Sequence, residues 1–188
     1  PTIFGEGVPF SFPSSPDIGG GLTNLGIELI KHCNNLNIIV DTSHLNEKGF
    51  WDVAKNSIHP LIATHSNAHA ICPHTRNLTD RQLDAIKDTK GMVGVNFAPA
   101  FLRKDGKMLS DTNIQLIADH FKYLIDYLGE DHVGFGSDFD GAMMPKDLRS
   151  VLGMSKLTQL LVDQGFNDNL MHKIYHQNWL EIIKRILK

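Results

Sequence analysis

Two histidines carry the spacing of a possible metal-binding pair. Each closes a short apolar run: Ile38-Ile39-Val40-Asp41-Thr42-Ser43-His44, and Pro60-Leu61-Ile62-Ala63-Thr64-His65-Ser66. They lie 21 residues apart, and the stretch from Asn46 to Ser57 between them is long enough for a short helix. A β-branched run, a helix and a second such run make one βαβ unit. That crossover sets the strands parallel and brings both histidines out at one edge of the sheet. Ligands of α/β folds bind at this carboxyl edge. Two imidazoles there suit a divalent ion such as zinc. The plainer reading, two polar residues capping two strands, stays open on these residues alone.

Three further groups could do chemistry near that edge. Arg76 lies in the irregular, polar stretch after His65 and could grip a carboxylate through its bidentate fork; an ordinary surface arginine is the alternative. Asp138 and Asp140 end the run Val133 to Asp140. Asp138 could ligate a metal, accept a proton or orient a neighbour. Asp140, before Gly141, reads as a turn residue. His172 and His176 stand four apart on a helix but have no third donor in sequence reach, so they read as a polar face. His120 falls on another helix with no evident partner.

The elements that would position these groups repeat as βα. A helix over Leu22–Asn35 precedes the strand that ends at His44, and the next helix buries Phe50, Trp51 and Val53. Thr79 and Gln82 form a capping box that opens a third helix. Gly91 to Phe97 is an apolar strand buried on both faces. Asp111–Leu128 is an amphipathic helix, and Gly134 and Gly136 leave the fourth strand room for close backbone approach. The C-terminal helices follow, with Leu170, Ile174, Leu180, Ile183 and Ile186 expected on the core side. Residues 1–21, rich in Pro, Gly and Ser, read as a long loop.

The sum is an α/β chain with a parallel sheet, its helices outside and its polar chemistry at the strand ends. That fits a (β/α)8 TIM-type barrel. Eight strands need about 250 residues, whereas this chain has 188 and four strand runs. The expectation is a single domain over residues 1–188 that forms the C-terminal half of a barrel. Its open edges would be covered by a missing N-terminal half or by a second copy of the chain.

Composition narrows the partners. A net charge of −3 with no Lys/Arg cluster argues against nucleic acid. No apolar run approaches the roughly 20 residues needed to span a bilayer. Cys33 and Cys72 are too few for a disulfide framework, so a reducing, cytoplasmic setting is expected.

The chain resembles the renal (membrane) dipeptidase family, zinc dipeptidases built on amidohydrolase-type barrels, and most of all its bacterial members. The resemblance runs through FGEGVPF, GLTNLG, VDTSH, FWDVAKNS, PLIATHSNAHAICPHTRNLTDRQLDAI, GMVGVNF and GSDFDG, in that order. It implies that His44 and His65 hold one zinc of a binuclear pair, and that Arg76 binds the C-terminal carboxylate of a dipeptide. It implies that Asp138 handles the proton while a hydroxide bridging both metals attacks the scissile carbonyl. The family's His-x-Asp pair, its bridging glutamate and a substrate-contacting histidine would all precede Pro1. The resemblance therefore also implies an incomplete metal site in this chain and negligible hydrolysis by it alone. Two other readings remain: a related hydrolase on the same barrel, such as one acting on a lactone or an N-acyl amino acid, with Arg76 favouring a carboxylate-bearing substrate, and a non-catalytic fragment that self-associates.

Overall fold

The computed structural model describes Phe4, Gly5 and residues 19–187. Most of the loop expected over residues 1–21 therefore lies outside the described residues. The chain runs through α1 (Asn24–Asn35), α2 (Glu47–Asn56), β1 (Ile62–Ala63), α3 (Asp80–Asp88), β2 (Met92–Val95) and α4 (Pro99–Leu102). It continues through α5 (Gln115–Leu128), β3 (Val133–Phe135), α6 (Met154–Asp163), α7 (Asp168–His172) and α8 (Asn178–Ile186). The strands form a parallel sheet in the order β1-β2-β3, with Ile62 opposite Met92 and Val93 opposite Val133.

Three of the four expected strands form. The first, ending at His44, is reduced to a parallel bridge between Asp41 and Ile62. Thr42 supports it, its N–H and hydroxyl both donating to the Ile62 carbonyl at 2.8 and 2.9 Å. A ladder needs a partner at successive residues. Here Asn37 and His44 both take left-handed backbone angles, φ 55° and 68°, which bend the chain away on either side of the bridge.

Local signals account for the helix starts. Thr23 caps α1 through the Gly26 N–H at 3.1 Å, and Asn46 caps α2 through the Gly49 N–H at 2.9 Å. The Thr79/Gln82 capping box forms in both directions. Each such cap contributes about 1 kcal/mol.

Side chains alternate across the sheet. Val93, Val95, Ala63 and Val133 join the large core with Leu83, Ile86, Ile117, Phe121 and Leu124. Met92 and Ile62 point the other way and pack with Ile182 and Ile186 of α8. Helices therefore cover both faces, not only the outer one. Burying each of those α8 isoleucines contributes about 2 kcal/mol.

The core face of the C-terminal helices differs from expectation. Leu180 and Ile183 are 45% and 37% exposed, whereas Ile182 is buried. A π-helical turn over Lys173–Gln177 joins α7 to α8. It widens the turn, so the inward row falls at every fourth residue: Leu170, Ile174, Asn178, Ile182 and Ile186.

Candidate metal centre and substrate site

The four residues singled out by sequence meet at the carboxyl edge of the sheet. His44 follows the Asp41–Ile62 bridge, His65 follows β1, Arg76 lies in the loop beyond it, and Asp138 lies three residues past β3. The rings of His44 and His65 are 4.9 Å apart, inclined at 57°. Arg76 donates through Nη2 to the His65 carbonyl at 3.3 Å. Asn96 Nδ2 donates to that carbonyl at 3.5 Å and to Asp138 Oδ2 at 3.0 Å.

Asn96 is fully buried, and the sequence reading passed over it. Its Oδ1 accepts from the Ala98 N–H at 2.7 Å, so its amide nitrogen must face Asp138. Its backbone pairs reciprocally with the Asn67 side chain, at 2.9 and 3.0 Å. A polar residue at the end of the otherwise apolar run GMVGVNF was the one available signal. Asp138 itself sits at φ 61°, in a turn closed by the Gly141 N–H on its carbonyl. A Cβ at 141 would lie 2.2 Å from Asp138 Oδ1, so glycine there leaves that oxygen unobstructed. Asp140, at φ 67°, belongs to the same turn.

His44 and Asp138 are thus both non-glycine residues in the left-handed region, at a cost of about 1 kcal/mol or more each. The surrounding contacts hold that strain at the place where the side chains converge.

Arg76 is 3% exposed, with its guanidinium 5.2 Å above the Phe101 ring. Burial lowers it to about 10, opposed by the carboxylates of Asp138 and Asp41, so it stays charged near neutral pH. Its Nε has no partner among the described residues. A buried cation with an unused donor is costly unless a ligand supplies the acceptor.

Burial, then the charge of Arg76, lowers the His65 pKa. The same two causes, followed by His65, push His44 down to about 4. His44 keeps much of its surface exposed, which lets water moderate that fall. In both cases the direction favours neutral imidazole, the form that ligates metal. The pair therefore fits as two donors of a metal site. No group of three or more His, Cys, Asp or Glu residues suited to a metal occurs among the described residues. Structural and catalytic zinc sites use at least three protein donors, one more than this pair supplies.

An α/β chain thus brings paired imidazoles, a buried arginine and a left-handed aspartate to one sheet edge. Residues 8–188 match the membrane dipeptidase family, peptidase family M19, and the chain belongs to it. It is 52% identical over 183 residues to an uncharacterised protein in the pqqA 5′ region of Klebsiella pneumoniae, covering 97% of this chain and 68% of that one. It is 31% identical over 179 residues to the dipeptidase tcpJ of Claviceps purpurea, covering 94% and 41%. Among solved structures it is similar to a metallopeptidase from Rhodobacter sphaeroides liganded with a phosphinate mimic of the dipeptide L-Ala-D-Ala. That similarity has a TM-score of 0.94 and 53% identity, over 98% of this chain and 52% of the other. The chain thus spans about half the length of that solved relative. No helix among the described residues is long and apolar enough to cross a membrane.

Proposed function

We propose that this chain is the C-terminal half of a (β/α)8 metallodipeptidase, its 188 residues forming one unit of that barrel. His44 and His65 would hold one zinc ion, and the other metal ligands would come from the remaining half. When bound, the metal supplies Lewis acidity to the scissile carbonyl. Arg76 receives the C-terminal carboxylate of the dipeptide on its guanidinium, whose charge and planar fork suit a substrate with a free carboxylate. Asp138, held at Oδ2 by Asn96, takes a proton from the attacking water and returns it to the leaving amine.

The observation that carries this reading is the convergence of two imidazoles 4.9 Å apart with a buried, incompletely paired guanidinium. Its test is hydrolysis of dipeptides, L-Ala-D-Ala included, by the whole protein after chelation and after zinc is restored. Turnover should vanish with the metal and return with it. Asp138→Asn should lower kcat by about a thousandfold, and Arg76→Lys should raise KM by about tenfold. The 188-residue chain alone should show negligible turnover. Undiminished hydrolysis in Asp138→Asn, or none by the zinc-loaded whole protein, would overturn it.

A further inference from the structure

A neutral imidazole offers one lone pair, and its tautomer decides which nitrogen carries it. Around His65 that choice is made by its neighbours. Thr64 Oγ1 lies 2.7 Å from His65 Nδ1 and 2.5 Å from Asp41 Oδ2. A threonine hydroxyl has one proton, and a carboxylate only accepts. The hydroxyl proton therefore lies toward Asp41. What Oγ1 has left for the ring is a lone pair, so Nδ1 must carry hydrogen.

The carboxylate that sets this direction is itself fixed. Asp41 Oδ1 accepts from the backbone N–H groups of Ser43 at 3.0 Å and Thr64 at 2.9 Å. Asp41 Oδ2 is 3.9 Å from His65 Nδ1, too far for a direct hydrogen bond, so the hydroxyl is the bridge. The backbone of His65 is tied as well, its N–H donating to Ser43 Oγ at 3.1 Å. Three segments, the Asp41 bridge, the turn at Ser43 and the end of β1, thus hold one residue.

We propose that Asp41 and Thr64 form a hydrogen-bond relay that locks His65 as its Nδ1–H tautomer and leaves Nε2 as the ring nitrogen able to take a metal. Both are positioning residues that act through His65. The inference rests on reading His65 as a ligand, but its first readout does not.

That readout is the tautomer in the metal-free whole protein, labelled with 15N-histidine and followed by long-range 1H–15N spectra. His65 should show a protonated Nδ1 and a bare Nε2. Thr64→Val, which keeps the branched shape and removes the hydroxyl, should give a mixture of tautomers, while Thr64→Ser should restore the wild-type pattern. Zinc affinity, measured by chelator competition, should fall about 10- to 100-fold in Thr64→Val and recover in Thr64→Ser. A wild-type His65 protonated at Nε2, or a Thr64→Val protein with unchanged tautomer and affinity, would overturn the relay. The ligand reading fails separately, if His65→Ala leaves zinc affinity unchanged.

Discussion

Two pairs of imidazoles lie within 5 Å of each other in this molecule and are built in opposite ways. The rings of His44 and His65 are 4.9 Å apart, and those of His172 and His176 are 4.3 Å apart. The second pair is what sequence spacing offers most directly: two histidines four apart, here spanning the end of α7 and the π-helical turn. Both are exposed on the helix surface. The first pair is 21 residues apart in sequence and is assembled by the sheet. One of its rings is tied through Thr64 to Asp41, its backbone is strained at His44, and a buried Arg76 biases both rings toward neutrality. Proximity alone is therefore a poor mark of a site. A ring bridged through Thr64 to Asp41, a buried arginine beside both rings and a left-handed backbone at His44 distinguish the pair at the sheet edge.

That contrast can be broken first by substitution. Removing both rings of the sheet-edge pair, His44→Ala with His65→Ala, should lower zinc affinity of the whole protein by more than about 100-fold. His176→Ala should change it by less than about twofold. Competition with a chelator reads both, and an equal loss in the two proteins would show that the two pairs bind metal alike.

A second test concerns the support beneath the first pair. His120 is fully buried and accepts the Ala68 N–H at 3.2 Å, three residues beyond His65. Burial pushes its pKa down to about 4, with the Leu102 carbonyl opposing. Below the ordinary value of about 6.5 the unfolded chain gains a proton that the folded chain refuses. Its contribution to stability is thus complete above about pH 6.5, falls by up to about 3 kcal/mol toward pH 4, and levels off below that. Urea unfolding across that window should show the slope, and His120→Gln should reduce it, leaving the share that His44 and His65 contribute with the same sign.

The smallest expected effect is steric. A Cβ at Gly136 would lie 2.1 Å from the Thr64 carbonyl oxygen, and one at Gly94 would lie 2.0 Å from it. Both glycines let neighbouring strands close on the residue that holds His65. Gly136→Ala should cost about 2 kcal/mol, read as a lower denaturant midpoint, and it should leave the helical pair undisturbed.

Much of this was legible in the chain itself. The apolar runs and caps give the helices to within a few residues, because a cap is a contact between residues three apart, as at Thr79 and Gln82. The alternation of strand and helix gives a parallel sheet with His44 and His65 at one edge, because a right-handed crossover leaves little other choice. Glycines 134 and 136 announce close approach before their neighbours are known. Only the tertiary structure decided the rest. Asn96 and Thr64 read as ordinary strand residues until Asp138 and Asp41, 42 and 23 residues away, are brought against them. The π-helical turn moved the inward row from Leu180 and Ile183 to Ile182, because the packing of α8 on Met92 and Ile62 outweighs the regular helical period. Local chemistry selects the elements, and hydrogen bonds between distant segments select which atoms of the site are free to act.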